Sequence, residues 1–373
     1  MTTHATRITT ADHHVTVTST SKPVTDWSAR YFGPWWNAAD VTDSDEPEVG
    51  PVVAADVDDH QLAALTDQVT SRPSVAETVY ANAPLRYVRD GDVVVACQPS
   101  ELLAYRYEPG RLRIVGGQGT PVALAAARLA REILRGQLLA DGWSILHASA
   151  VTNPAGDTVL TLGGKGAGKT TTALLLARSG WGLLANDRVF VRPDGDGGVR
   201  VLPWPSAAAV GLGFLDAAGL YDGVRERILA GEQLHPTQHQ RVTDALMRGR
   251  RAPLRNEAGK ELKPQFFPDQ LASWLGLTLA TEGRAARVLF PTVNKAASPA
   301  IVDDTRALGE GDLFTDATED RYPDVFGLAP APGRAASNAS TTLALLAALP
   351  HHSISLGHDV KTNADFLAHL TDQ

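Results

Sequence analysis

Apolar and polar residues alternate through Val15-Thr16-Val17-Thr18, a period of two that predicts a strand, while the dozen polar residues before it predict a frayed end. The alternation returns over 85–88, 93–97, 103–107 and 112–115. Arg89-Asp90-Gly91-Asp92 and Glu108-Pro109-Gly110 supply turns, so these segments predict a meander. Acids, Pro and Gly over 40–51 predict a loop. Residues 1–119 are therefore expected to form a β-rich N-terminal accessory region.

From Pro121 to Leu139 the apolar period lengthens to that of a helix, with Thr120 as its cap and Pro121 in its first turn. This helix is expected to open a second region, 120–373. The apolar run Ile145–Val151 predicts one buried strand, Pro154-Ala155-Gly156-Asp157 a hairpin turn, and Thr158–Leu162 a second strand. Leu183–Val191 predicts another strand, with further ones ending near Pro205, over 287–291 and over 353–356, and helices over 341–349 and 366–370. Strands and helices interleaved in this way predict an α/β fold with a mixed sheet. The stretch 295–337 is rich in Pro, Gly and Asp and reads as a lid or an acceptor-binding insertion.

Chemistry enters where the strand 158–162 ends. Gly163-Gly164-Lys165-Gly166-Ala167-Gly168-Lys169-Thr170 satisfies the P-loop pattern, in which glycines let the backbone curl so that successive N–H groups face phosphate oxygens. Lys169 is expected to reach the β and γ phosphates and Thr170 to place its hydroxyl on Mg²⁺. Thr171, opening the following helix, adds an α-phosphate contact. Lys165 reads equally as a phosphate contact or a solvated side chain. Asp187, at a strand end, reads as a Mg²⁺ ligand or proton acceptor, or as a turn acid paired with Arg188. The cations from Arg225 to Lys263 read as a solvated helix face or as a cap over phosphates.

Whole-chain properties narrow the partners. The 373 residues are 43% hydrophobic and 20% charged, enough for a sizeable core, and the formal net charge of −8 offers no general field for nucleic acid or anionic lipid. Cys97 is the single cysteine, so a disulfide within the chain or a cysteine-based zinc site is ruled out, and a reducing cytoplasm fits. The polar start of the chain does not read as a signal peptide, and no apolar run is long enough to span a bilayer. His351, His352 and His358 lack supporting ligands, so no metal beyond Mg²⁺ is expected.

Leu146-His147-Ala148-Ser149-Ala150-Val151, the hairpin, the loop Gly163–Thr170, and Ala185-Asn186-Asp187-Arg188-Val189 one helix later form an ordered set. In this set the chain resembles the HPr kinase/phosphorylase family and its kinase-like relatives in the phosphoenolpyruvate carboxykinase-type P-loop group. The resemblance covers about 143–191 and implies an HPr-kinase-like core in which His147, Lys169, Thr170 and Asp187 carry the phosphate, metal and proton work. Asn186 stands where the family has the first of two acids, and the family's downstream glycine-rich acidic signature is missing. That disfavours HPr itself and makes the kinase-like proteins of bacterial natural-product pathways closer in appearance. The expected activity is Mg-ATP-dependent transfer of a phosphoryl group to a hydroxyl of a small molecule or peptide, with GTP and homo-oligomerisation left open. A nucleotide-binding regulator without catalysis, or an NTPase driving an assembly step, are the alternatives.

Overall fold

Two large mixed sheets with helices packed against them organise the chain, in a computed structural model that describes residues 2–41, 50–303, 306–314, 322–329 and 334–371, the last without the side chains of 334–337. The chain divides into two units, Met1–Trp143 with Thr315–Ser337 and Ser144–Phe314 with Asn338–Gln373.

In the first unit the strands are β1 (His4–Thr10), β2 (His13–Ser19), β3 (Ala39–Asp40), β4 (Val52–Val57), β5 (Ala76–Tyr80), β6 (Ala83–Asp90), β7 (Val93–Gln98), β8 (Leu103–Glu108) and β9 (Arg111–Gly116). Their order is β3-β1-β2-β4-β9-β8-β7-β6-β5. The expected meander is present as the antiparallel run β5 to β9, whereas β4 lies parallel to both β2 and β9. The expected frayed end is instead β1, paired residue for residue with β2. Its threonines made it look solvent-loving, yet Thr6 is fully buried and its hydroxyl donates to Thr25 O at 3.1 Å. β-branched Thr suits a strand once its hydroxyl has a partner. Of the expected loop 40–51, residues 42–49 lie outside those described.

Two helices of the first unit were not signalled by periodicity. α1 (Lys22–Trp36) contains Pro34 and buries Phe32, Trp35 and Trp36, a crowd of aromatics that masks its spacing. α2 (Asp59–Thr70) is capped by Asp58, whose Oδ1 accepts from Gln61 N at 2.9 Å, and it covers Val95, Cys97, Ala104 and Val115. Cys97 is a buried free thiol, pushed up from its ordinary pKa by that burial, as suits a structural residue.

α3 (Gly119–Ala140) is the helix expected over 121–139, but its cap position is Gln118 and Thr120 sits inside its first turn. It packs against α1, β2, β4 and β9, so it belongs to the first unit, and the boundary falls at Trp143/Ser144 instead of 119/120.

The second unit contains β10 (Ser144–Leu146), β11 (Ala148–Thr152), β12 (Asp157–Leu162), α4 (Lys169–Arg178), β13 (Gly182–Ala185), β14 (Val189–Pro193) and β15 (Val199–Pro203). Two short ladders follow, β16 (Ala208–Ala209) with β19 (Gln265–Phe266) and β17 (Leu254–Arg255) with β18 (Glu261–Leu262). Then come β20 (Gly283–Val293), β21 (Ala300–Val302) and β22 (His351–Leu356). The main path is β10-β14-β15-β20-β12-β11-β13, with β22 parallel to β20 and antiparallel to β21. Leu160, Leu162, Leu184, Val189, Val201, Val288 and Phe290 form the core beneath it.

The two apolar runs expected as single strands are each interrupted. Ile145–Val151 breaks at His147, and Leu183–Val191 breaks at Asn186–Arg188. Leu146 pairs with Val189, Ala150 with Ala185, and Ala148 with Leu162. Both breaks therefore face the end of β12, where the glycine loop begins.

Residues 295–337 do not form one insertion. β21 joins the second sheet, and 306–314 returns as a strap that bridges Leu313 to Leu146 and donates Phe314 N to Ile145 O at 2.8 Å. Residues 322–329 belong to the first unit, and 304–305, 315–321 and 330–333 lie outside the described residues. Among the described residues no helix is long and apolar enough to cross a membrane.

Candidate functional site

Local geometry explains the glycines of the loop 163–170. Gly168 takes φ +109, and a Cβ there would meet Val293 Cγ2 at 2.7 Å, so no other residue fits without displacement. Gly164 and Gly166 have open space where a side chain would stand, which leaves their backbone approachable. α4 starts directly at Lys169 and is held to the sheet by Ala173, Leu174, Leu175 and Leu176, all buried. Its unpaired N–H groups and the positive end of its dipole are thereby fixed at the loop.

Lys169 is only 8% exposed, and its Nζ donates to Gly163 O at 2.6 Å, folded across the loop. Thr170 Oγ1 donates to Asn186 O at 3.4 Å, and Ser149 Oγ donates to the same carbonyl at 2.7 Å. That single carbonyl joins β11, the start of α4 and the break after β13. Thr170 is thereby tied to the backbone one residue before Asp187, and a hydroxyl and a carboxylate are both hard oxygen donors of the kind that suits Mg²⁺. Lys165 is exposed, with no described contact, as a solvated side chain would be.

His147 Nε2 lies 3.3 Å from Asp187 Oδ1, and Arg188 Nε lies 3.6 Å from Asp187 Oδ2. Burial pushes the Asp187 carboxyl up, but the His147 contact, with the charges of His147, Arg188 and Lys169, outweighs it and holds the group below the usual carboxylate range. Asp187 is thus an ionised group at neutral pH, with its side chain half-exposed. Arg188 is itself held over the rings of Phe314 at 4.0 Å and Trp204 at 5.5 Å. The pairing with Arg188 expected of a turn acid is present.

Asn186 plays a different part. It is 7% exposed and its Oδ1 accepts from Ser206 Oγ at 3.1 Å, so its amide ties the break to the chain beyond β15.

The basic run gives little support to a cap over phosphates. Arg225 bonds Leu246 O, Arg227 bonds Ser273 O, Arg241 bonds Arg255 O, and Arg251 pairs with Asp216 and Asp222. These guanidinium groups staple their own segment. Trp204, stacked on Phe190 at 5.2 Å, is a core residue. Sequence reasoning missed Ser149 and Ser206 as positioning groups. Their only signal was adjacency, since Ser149 lies inside the run that carries His147.

No protein-family model matches the chain, and no curated sequence matches it. The functional assignment accordingly stands on the grouping of Lys169, Thr170, His147 and Asp187 at one end of the second sheet.

Proposed function

We propose that the second unit is a P-loop, HPr-kinase-like core that transfers the terminal phosphoryl group of Mg-ATP to a hydroxyl of a small molecule or peptide. The observation that carries this reading is the His147–Asp187 pair at 3.3 Å at a strand break that the threonine of the glycine loop bonds, with the loop's lysine folded onto Gly163. A Mg-nucleotide would be held by the loop amides, Lys169, Thr170 and Asp187, and would supply the phosphoryl group and a divalent charge to offset that of the phosphates.

The chain's own residues supply the rest. Lys169 exchanges the Gly163 carbonyl for phosphate oxygens, the N-terminus of α4 adds partial positive charge, and Thr170 offers its hydroxyl to the metal. Asp187 orients the acceptor hydroxyl and receives its proton. As a weak base it does so late, which a loose phosphoryl-transfer transition state tolerates. His147 stands within reach to share that proton.

A nucleotide-binding regulator without transfer is the second reading, favoured by Asn186, whose amide is committed to Ser206 and offers no second acid. Incubation of the purified protein with γ-labelled ATP and with candidate small-molecule and peptide alcohols separates the two. Transfer that disappears in Asp187→Asn, with nucleotide still bound by calorimetry, supports the kinase. Nucleotide binding with no transfer to any acceptor supports the regulator. Lys169→Ala binding Mg-ATP as tightly as wild type removes both.

A further inference from the structure

The strap 306–314 brings a second cation to the glycine loop. Arg306 lies over the Phe290 ring at 4.4 Å, and its Nη2 donates to Asp312 Oδ1 at 2.6 Å. Asp312 is itself fixed, because its Oδ2 accepts from Gly309 N at 3.1 Å and its carbonyl accepts from His147 N at 2.9 Å. One residue thus anchors both the arginine and the histidine of the candidate site.

The other terminal nitrogen of Arg306 points elsewhere. Nη1 lies 3.7 Å from the position a Cβ would take on Gly163, and the Arg306 side chain is 32% exposed. Gly163 is also where Lys169 Nζ is bonded. Two cations therefore converge on the first glycine of the loop. Their mutual repulsion is relieved by an anion lying between them. Because the lysine of such a loop serves the β and γ phosphates, the convergence marks the γ end of the bound chain of phosphates.

We propose that Arg306 is a phosphate-binding residue that contacts the terminal phosphate of a nucleoside triphosphate through Nη1, with Asp312 as its positioning residue. This rests on the reading of the loop as a phosphate cradle. It adds that the site distinguishes triphosphate from diphosphate by a charge-assisted hydrogen bond from a pre-positioned guanidinium.

The test is calorimetry with Mg-ADP and with a non-hydrolysable Mg-ATP analogue on wild type, Arg306→Gln and Arg306→Lys. Gln retains a donor for Asp312 and so keeps the strap in place. Lys keeps the charge, and it stands in if the Gln variant does not fold. Arg306→Gln is expected to weaken the triphosphate analogue by about tenfold or more while leaving Mg-ADP within about twofold. Arg306→Lys is expected to recover part of the difference. Asp312→Asn should show the same triphosphate-selective loss in smaller measure. Wild type that binds neither nucleotide overturns the phosphate-cradle reading and this inference with it. Wild type that binds both, with Arg306→Gln losing both equally or neither, overturns this inference alone.

Discussion

Replacing Asn186 by Asp restores the first of the resembling family's two acids, and the structure predicts that the exchange costs stability without adding activity. The Asn186 side chain is 7% exposed and turned toward Ser206, whose hydroxyl donates to it at 3.1 Å. Ser206 can donate to a carboxylate as readily, so that hydrogen bond survives. What changes is the charge. A carboxylate in a nearly closed site, next in sequence to ionised Asp187, has its pKa raised both by burial and by a like charge. A raised pKa means that the penalty is absent below the unfolded-state value of about 3.9, grows as pH rises, and levels off above the folded-state value. Lys169 and Arg188 nearby soften it. A displacement of one to two pH units, at about 1.4 kcal/mol each, gives a loss of roughly 1.5–3 kcal/mol at neutral pH. Urea unfolding followed by tryptophan fluorescence at pH 4 and pH 7.5 measures it. Wild type and Asn186→Asp should nearly coincide at the lower pH and separate at the higher, with phosphoryl transfer unchanged or reduced. A difference independent of pH, or a gain in turnover, refutes the reasoning and places the side chain at the metal.

Gly168→Ala should lose about 2–3 kcal/mol, from a left-handed backbone and the 2.7 Å approach to Val293, and should abolish nucleotide binding; a thermal midpoint and ATP affinity equal to wild type contradict this. Ser149→Ala removes a fully buried donor 2.7 Å from Asn186 O and should cost about 1–2 kcal/mol in urea unfolding, with Thr170 left as the described side-chain donor to that carbonyl. The lowered pKa of Asp187 means that its stabilising contribution is present above the ordinary carboxylate range and disappears as pH falls through its folded-state value. Unfolding midpoints of wild type and Asp187→Asn should therefore converge on acidification, and a gap that widens instead would reverse the assigned direction.

The glycine loop, its flanking strand and helix, and Asp187 were legible because each is written in adjacent residues: a period of two, a run of small residues, then a helical period. The breaks at His147 and Asn186–Arg188 were not, since Leu, Ala and Val surround them and an apolar run looks like one strand whether or not it is interrupted. Only pairing across strands, Leu146 with Val189 and Ala150 with Ala185, reveals that the two interruptions coincide. β1 was hidden by its threonines and α1 by its aromatic crowding. Arg306 was invisible for another reason. It is 137 residues beyond Lys169 by numbering, and nothing local announces that the strap returns to His147 through Asp312.

The division of the chain into Met1–Trp143 with Thr315–Ser337, and Ser144–Phe314 with Asn338–Gln373, means that neither unit is a contiguous stretch of polypeptide. Inheritance and folding must then treat them jointly. A ribosome releasing residues in order completes neither unit until after Thr315, because the first still awaits its returning segment and the second its closing strand β22. A gene fragment ending or starting between them always carries one unit incomplete, so recombination cannot shuffle the second unit as an ordinary cassette; a single protease cut within 315–337 leaves each unit assembled from two chains.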